Sequence, residues 1–242
     1  MSPTFSSLTI RNYRIYFTGA LVSNIGTWIG RVAQDWLVLT VLTNRSSEAL
    51  GIVTGLQFLP FILLAPWTGM LADRFPKRQI LAVTQTALAL SSLMTGVLVL
   101  TGTAELWMIY LLALFTGVAT AVDNPARQAF VSEMVPRERI ANAVSLNSAS
   151  FNAGRLIGPG VAGLVIAVSG TGIAFVLNTL TFVAVLIALA MMNPRDLRPA
   201  PVTRGRGAIR EGLRYVRHRP DIVLVMVLVF VLGTFGMNFQ IT

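Results

Sequence analysis

The sequence predicts an all-α membrane protein with several spans, on three observations. Apolar residues make up 54% and charged residues 12% of its 242 positions, whereas a water-soluble domain devotes about a quarter of its residues to charge. Mean hydropathy is +0.70. The apolar residues also gather in runs of about 20, the length at which a helix crosses the hydrocarbon core of a bilayer. A chain so composed cannot cover itself with polar surface, so the lipid bilayer is its expected solvent.

Read for such runs, the chain has six spans and the start of a seventh. The first covers Tyr16 to Leu42, the second Ala49 to Leu71, the third Gln79 to Leu100 and the fourth Leu106 to Ala126. The fifth covers Ile140 to Val168 and the sixth Ile173 to Met192; the seventh begins at Ile222. Alternate connections are short: Thr43 to Glu48, Thr101 to Glu105 and Ser169 to Gly172. The stretch after the sixth span opens with Pro194, Pro199 and Pro201 and turns basic, with an amphipathic surface helix expected over Ala208 to Arg217. The expected organisation is a six-helix bundle over 1–192, a basic linker over 193–220, and over 221–242 the first helix of a second, truncated bundle.

Charge sets the orientation. One set of gaps holds Arg11 and Arg14, then Arg74, Lys77 and Arg78, then Arg137 and Arg139, then eight arginines from Arg195 to Arg219. The opposite set holds Arg45 alone. Positive loops stay inside, so the N-terminus and linker are expected in the cytoplasm, with the chain in the cytoplasmic (inner) membrane. The net charge of +9 is therefore a topology signal, and nucleic acid is not an expected partner. With no cysteine, disulfides and thiolate chemistry are excluded. The first apolar run is too long for a cleavable signal peptide. The single histidine, His218, lies in the linker, which leaves no metal site and no histidine base within a span. An intramembrane enzyme is thus a remote alternative. No phosphate-binding glycine loop appears, and no cofactor is expected.

Residues Gly69 to Leu81 read GMLADRFPKRQIL. Gly69 permits a close helix approach, Asp73 can accept from free N–H groups at a helix N-terminus, and Arg74, Lys77 and Arg78 hold the turn on the positive side. Spacing alone is equally compatible with an ordinary positive-inside turn. The stretch closely resembles the loop between the second and third spans of the major facilitator superfamily, G-x-L-A-D-R-x-G-R-K. Pro76 stands where the family usually has glycine, and Lys77 and Arg78 exchange the usual order. The resemblance extends to six spans, a basic linker and a re-entering helix. It implies that Asp73 caps a helix of a second bundle in the outward-open state. It also implies that Lys77 pairs with an acidic residue near the end of the fourth span, for which Asp123 is the candidate, with Arg127 one turn on.

In the fifth span, Gly154-Arg155-Leu-Ile-Gly158-Pro159-Gly160-Val-Ala-Gly163 resembles the Gly-Pro motif of the family's antiporters, which implies export. Bare Gly-Pro in a membrane helix also means a kink with tight packing. Ser145 and Ala162 replace glycines often found in that pattern. Ala113 stands where many proton-coupled members carry an arginine, so coupling through that residue is not available. The segment Asp123 to Gln128 resembles a subgroup containing siderophore and macrolide exporters.

Charges within spans are costly, about 2.5–3.5 kcal/mol each on insertion scales, and are functional candidates. Arg31 and Asp35 are one turn apart on the first span, beside Gln34 and Trp36. Asp35 has three open roles: a protonation site, a structural partner of Arg31, or a solvated residue at an outer mouth. Arg155 has a comparable choice between an anionic substrate, Asp35, and a carbonyl of a neighbouring helix. The polar residues Gln57, Asn147, Asn152 and Asn178 suit interhelical hydrogen bonds as well as substrate contact. The resemblance implies secondary active export of a small-molecule substrate by alternating access, with H+ antiport expected. The alternative is a truncated or split half-transporter, inactive without its missing C-terminal half.

Overall fold

The computed structural model describes residues 3–198 and 219–231. The chain separates into two compact units, Met1–Val202 and Thr203–Thr242. In the first, α1 spans Arg11–Trp36 and ends in a wider π-type turn over Leu37–Leu42. Then follow α2 (Ser47–Arg74), α3 (Lys77–Leu100), α4 (Leu106–Met134) and α5 (Ile140–Met191). In the second unit, α6 covers Pro220–Val231, beginning two residues before the predicted Ile222, with Arg219 and Asp221 paired at 2.8 Å on its exposed first turn. The amphipathic segment expected over 208–217 lies outside the described residues.

Helix ends follow local chemistry. Ser46 caps α2 by accepting from the Ala49 N–H at 3.1 Å. Gly102 turns the chain after α3 with φ +70°, a left-handed value glycine adopts freely. Gly170, at φ +79° and ψ 173°, breaks the 52-residue α5 into limbs 140–169 and 171–191. With these limbs counted separately, the first unit has the six helical segments that hydropathy predicts. Among the described residues, four stretches are long and apolar enough to cross a membrane: α2, α3, α4 and Arg137–Met191, the last 55 residues long and so double. The 26 residues of α1 have the length, but Asn12, Asn24, Arg31, Gln34 and Asp35 lower its apolarity.

Within the first unit α1 packs chiefly on α5, α2 on α4, and α3 on both α4 and α5. Two apolar clusters close its ends. One joins Tyr13, Tyr16, Leu81, Phe130 and Leu189 at the end bearing the α2–α3 turn, hereafter the basic end. The other joins Ile29, Leu37, Val53, Ile109 and Phe175 at the opposite end. The short N-terminal helix Pro3–Thr9 is pinned to the start of α5, because Arg139 Nη1 donates to the Ser6 carbonyl at 2.9 Å and to Thr9 Oγ1 at 2.7 Å.

Candidate functional site

Between the two apolar clusters the helices carry a polar band. On α3, Thr84, Gln85, Ser91, Ser92 and Thr95 recur at three-, four- and seven-residue spacing and are buried, one face of a helix. Ser91 and Thr116 hydroxyls bond at 2.8 Å, Asn178 donates to Ser92 Oγ at 3.2 Å, and Asn24 donates to Ser150 Oγ at 2.9 Å. Gln57 of α2 donates to Gln34 Oε1 of α1 at 3.0 Å. Gly117 of α4 lets α2 pack closely on that helix, since a Cβ there would meet the Gln57 carbonyl oxygen at 2.6 Å.

Apart from Thr84, Gln85 and Ser150, this band lines a cavity of about 300 Å³ whose wall takes residues from α1 to α4 and from both limbs of α5. Hydrogen-bonding groups alternate with rings: Trp28, Phe58, Phe61, Phe151, Phe175 and Phe182 all face it. Apolar surface with a few placed polar groups is the general character of small-molecule sites. A second cleft, of about 330 Å³, opens at the basic end between Arg11, Arg139, Asp196 and Arg198. It lies on the unit's rim, and Arg139 is already engaged there by the N-terminal helix.

Asp123 sits at the cavity wall near the basic end and is 2% exposed. Its Oδ1 accepts from Thr84 Oγ1 at 2.6 Å and Gln85 Nε2 at 2.8 Å. Its Oδ2 accepts from Arg127 Nε at 3.0 Å and lies 2.9 Å from Nη2. The carboxylate is therefore fully engaged by donors of α3 and α4. Lys77 does not reach it; its Nζ lies 3.1 Å from Glu133 Oε1, an ion contact without hydrogen-bond alignment. The expected Lys77–Asp123 pair is thus corrected to Lys77–Glu133. The reason is length: α4 continues two turns beyond Ala126 to Met134, carrying Glu133 to the level of the α2–α3 turn.

The other residues of that turn behave differently from one another. Arg78 Nε donates to the Leu189 carbonyl at 2.9 Å, tying the turn to α5. Asp73 and Arg74 are exposed, and among the described residues neither forms a side-chain hydrogen bond or ion pair. Gly69 makes no close approach within this chain, as nothing lies within 4 Å of where its Cβ would be.

In the Gly-Pro segment, Gly154 and Gly158 do pack. A Cβ on Gly154 would meet the Asn24 backbone at 2.8 Å, and one on Gly158 would collide with Trp28 Cβ. Gly163 faces open space, and helical dihedrals run unbroken through Pro159, the break falling instead at Gly170. Pro159 therefore carries no break in helical dihedrals, and the one break in α5, at Gly170, falls within the Ser169 to Gly172 connection expected between the fifth and sixth spans.

Arg31 and Gln34 line the cavity; Asp35 does not, and no ion pair within 4 Å joins it to Arg31 among the described residues. Instead the Arg31 guanidinium lies over the Trp28 ring, 5.1 Å from its centroid, a cation–π contact. Arg155 approaches the same ring at 5.9 Å. Sequence reasoning missed Trp28, the flanking phenylalanines and the α3 stripe. The stripe was visible as polar residues at helical spacing, and Trp28 as the residue three before Arg31.

Comparison with known proteins bears on this arrangement. The profile of the family described as transmembrane secretion effector matches residues 2–239. The chain is 32% identical over 180 residues to the staphyloferrin A transporter of Staphylococcus aureus, covering 74% of this chain and 45% of that protein. It is 29% identical over 213 residues to the multidrug efflux pump Tap of Mycolicibacterium fortuitum, covering 83% and 51%. It is 22% identical over 191 residues to macrolide efflux protein A of Streptococcus pyogenes, covering 78% and 46%. The chain spans about half the length of these curated relatives. An all-helical, multi-pass membrane bundle with a polar central cavity, matched over nearly its whole length by that profile, belongs to the transmembrane secretion effector family of the major facilitator superfamily.

Proposed function

We propose that this chain forms the N-terminal half of a secondary active transporter that exports small molecules across the cytoplasmic membrane. Transport proceeds by alternating access, with protons as the coupling ion and the basic end facing the cytoplasm. The observation that carries this reading is the central cavity, where amides, hydroxyls and aromatic rings from six helical segments converge in an otherwise apolar bundle. Such a polar site at the middle of a bundle suits a solute crossing the bilayer. The efflux proteins among the relatives support the outward direction. Alternating access needs a second bundle to rock against the first, so the activity is assigned to this half together with one. Exposed Asp73 and Arg74 at the basic end would then meet that second bundle as gate residues. Catalysis is not part of the reading.

Proton coupling is assigned to Asp35. Asp123 is held by four donors, so protonating it would strand a buried guanidinium. Ala113 is 2% exposed in the apolar cluster opposite the basic end, which leaves no titratable group at that level of α4. Protein expressed from its own gene and placed in liposomes with an acidic lumen should accumulate solute until the gradient is collapsed. Asp35→Asn should abolish that accumulation while leaving downhill exchange. Unchanged accumulation in Asp35→Asn would remove Asp35 from the proton path, and no accumulation of any solute in the parent protein would remove the transport reading.

A further inference from the structure

Two guanidinium groups converge on one indole. Trp28 lies on α1, seated against Gly158 of α5, where any larger residue would collide with it. Arg31, from α1 itself, lies 5.1 Å from the ring centroid, and Arg155, from the first limb of α5, lies 5.9 Å away. Arg31 also approaches the Phe58 ring at 5.8 Å, and Phe151 stands edge-on to Trp28 at 6.1 Å. Among the described residues neither arginine has a hydrogen bond or a carboxylate within 4 Å. Each keeps its N–H donors unspent, in a fork that matches a carboxylate.

The charges nearby do not balance. Arg31 and Arg127 line the cavity with Asp123, whereas Arg155, which reaches the Trp28 ring, and Asp35 stand outside the lining. Asp123 is consumed by Arg127 at 2.9 Å. One carboxylate, beyond ion-pair distance, is left for two guanidiniums. Arg31 is exposed and Arg155 half-buried, and contact with a ring leaves the N–H donors of each open. The missing counter-charge is the chemistry this corner is built to receive.

We propose that Trp28 and Arg31 form at the cavity wall a recognition site for an organic anion: a carboxylate taken by the Arg31 guanidinium, with Arg155 on the same ring adding positive charge, on a solute whose flat apolar part lies among Phe58, Phe61 and Phe151. This rests on the transport reading and names its substrate class. The ring contacts orient the guanidiniums, and the carboxylate supplies the charge-assisted hydrogen bonds that Arg31 lacks.

The test uses the protein expressed from its own gene, in lipid nanodiscs, with radiolabelled 1-naphthoate as probe and 1-naphthylmethylammonium as its cationic counterpart. Naphthoate should bind, and the ammonium should compete at least about tenfold more weakly, the discrimination that like-charge placement imposes. Arg31→Gln and Arg155→Gln should each weaken naphthoate binding about tenfold, and Arg31→Lys less, because it keeps charge but loses the fork. The comparison of the two probes on the unaltered protein needs no variant and so survives any folding defect. Equal binding of both probes, or wild-type binding in both glutamine variants, overturns the proposal. So does an absence of naphthoate binding with a lowered melting temperature in the variants, the result expected if the arginines pair with a second bundle. In the liposome assay, movement of the ammonium but not the naphthoate leaves transport standing and sinks the anion site. Naphthoate binding that depends on both arginines, with no solute moved, keeps the site and sinks transport.

Discussion

Lys77 and Glu133 have side chains 8% and 6% exposed and lie 3.1 Å apart. In such surroundings the pair matters mostly through what its loss leaves behind. Removing one partner strands a buried charge, at a cost of about 3–5 kcal/mol, whereas an apolar pair of similar volume is often neutral. Glu133→Ala should therefore lower the melting temperature in detergent sharply, and Lys77→Met with Glu133→Leu should recover most of the loss. A double variant as unstable as the single one would show that the contact carries little weight. That Lys77 has an acidic partner on α4 was legible from the resemblance of the turn. Which residue it is was not, because apolarity ends the fourth run at Ala126 while the helix continues through polar residues to Met134. Meanwhile Arg127, one turn from Asp123, takes that carboxylate by local geometry. The same spacing argument suggested that Arg31 and Asp35 neutralise each other. There an aromatic ring three residues back won the guanidinium instead, a competition that charge spacing alone does not reveal.

Among helix pairs, the contact of α1 with the first limb of α5 decides the cavity's shape, because it seats Asn24 and Trp28 against Gly154 and Gly158. Small residues let backbones approach in a membrane, where packing and not apolar burial drives association. Gly158→Val should push α5 off Trp28, lowering thermal stability and loosening the Trp28 environment. Gly163→Ala, with nothing within 4 Å of the new methyl, should stay within about 0.5 kcal/mol of the parent. Thermal unfolding of the two variants side by side checks this, and equal effects would refute the assigned packing. The run of helices was readable because length and apolarity fix a span almost independently of tertiary context. The interior of α5 was less so: Gly158-Pro159 looked like the site of a bend, yet neighbouring helices tolerate proline in a membrane. The break at Gly170, where φ turns positive, is a separate feature and coincides with the Ser169 to Gly172 connection that hydropathy predicts.

At the scale of the whole molecule, orientation follows from the distribution of charge, and it can be tested directly because the chain has no cysteine. The α1–α2 connection holds Arg45 as its one basic residue, while the connections at the other end, from Arg74 to Arg198, are rich in arginine. Moving basic loops outward is disfavoured during insertion, so the two sets of connections should lie on opposite sides of the membrane. Asn44 and Glu138 are exposed members of the two sets, and among the described residues neither makes a side-chain hydrogen bond or ion pair that a cysteine would break. Asn44→Cys should react with a membrane-impermeant maleimide in intact cells, and Glu138→Cys only after the membrane is opened. A third position tests the helix whose composition is least lipid-like. Phe5, 49% exposed, precedes α1, and Phe5→Cys should be protected like Glu138→Cys if Arg11–Trp36 crosses the bilayer. Were Phe5→Cys labelled together with Asn44→Cys, α1 would lie on one face, and a cavity lined by Asn24, Trp28, Arg31 and Gln34 could not open across the membrane. Labelling of Glu138→Cys alone in intact cells would invert the bundle and turn the proposed direction of transport with it.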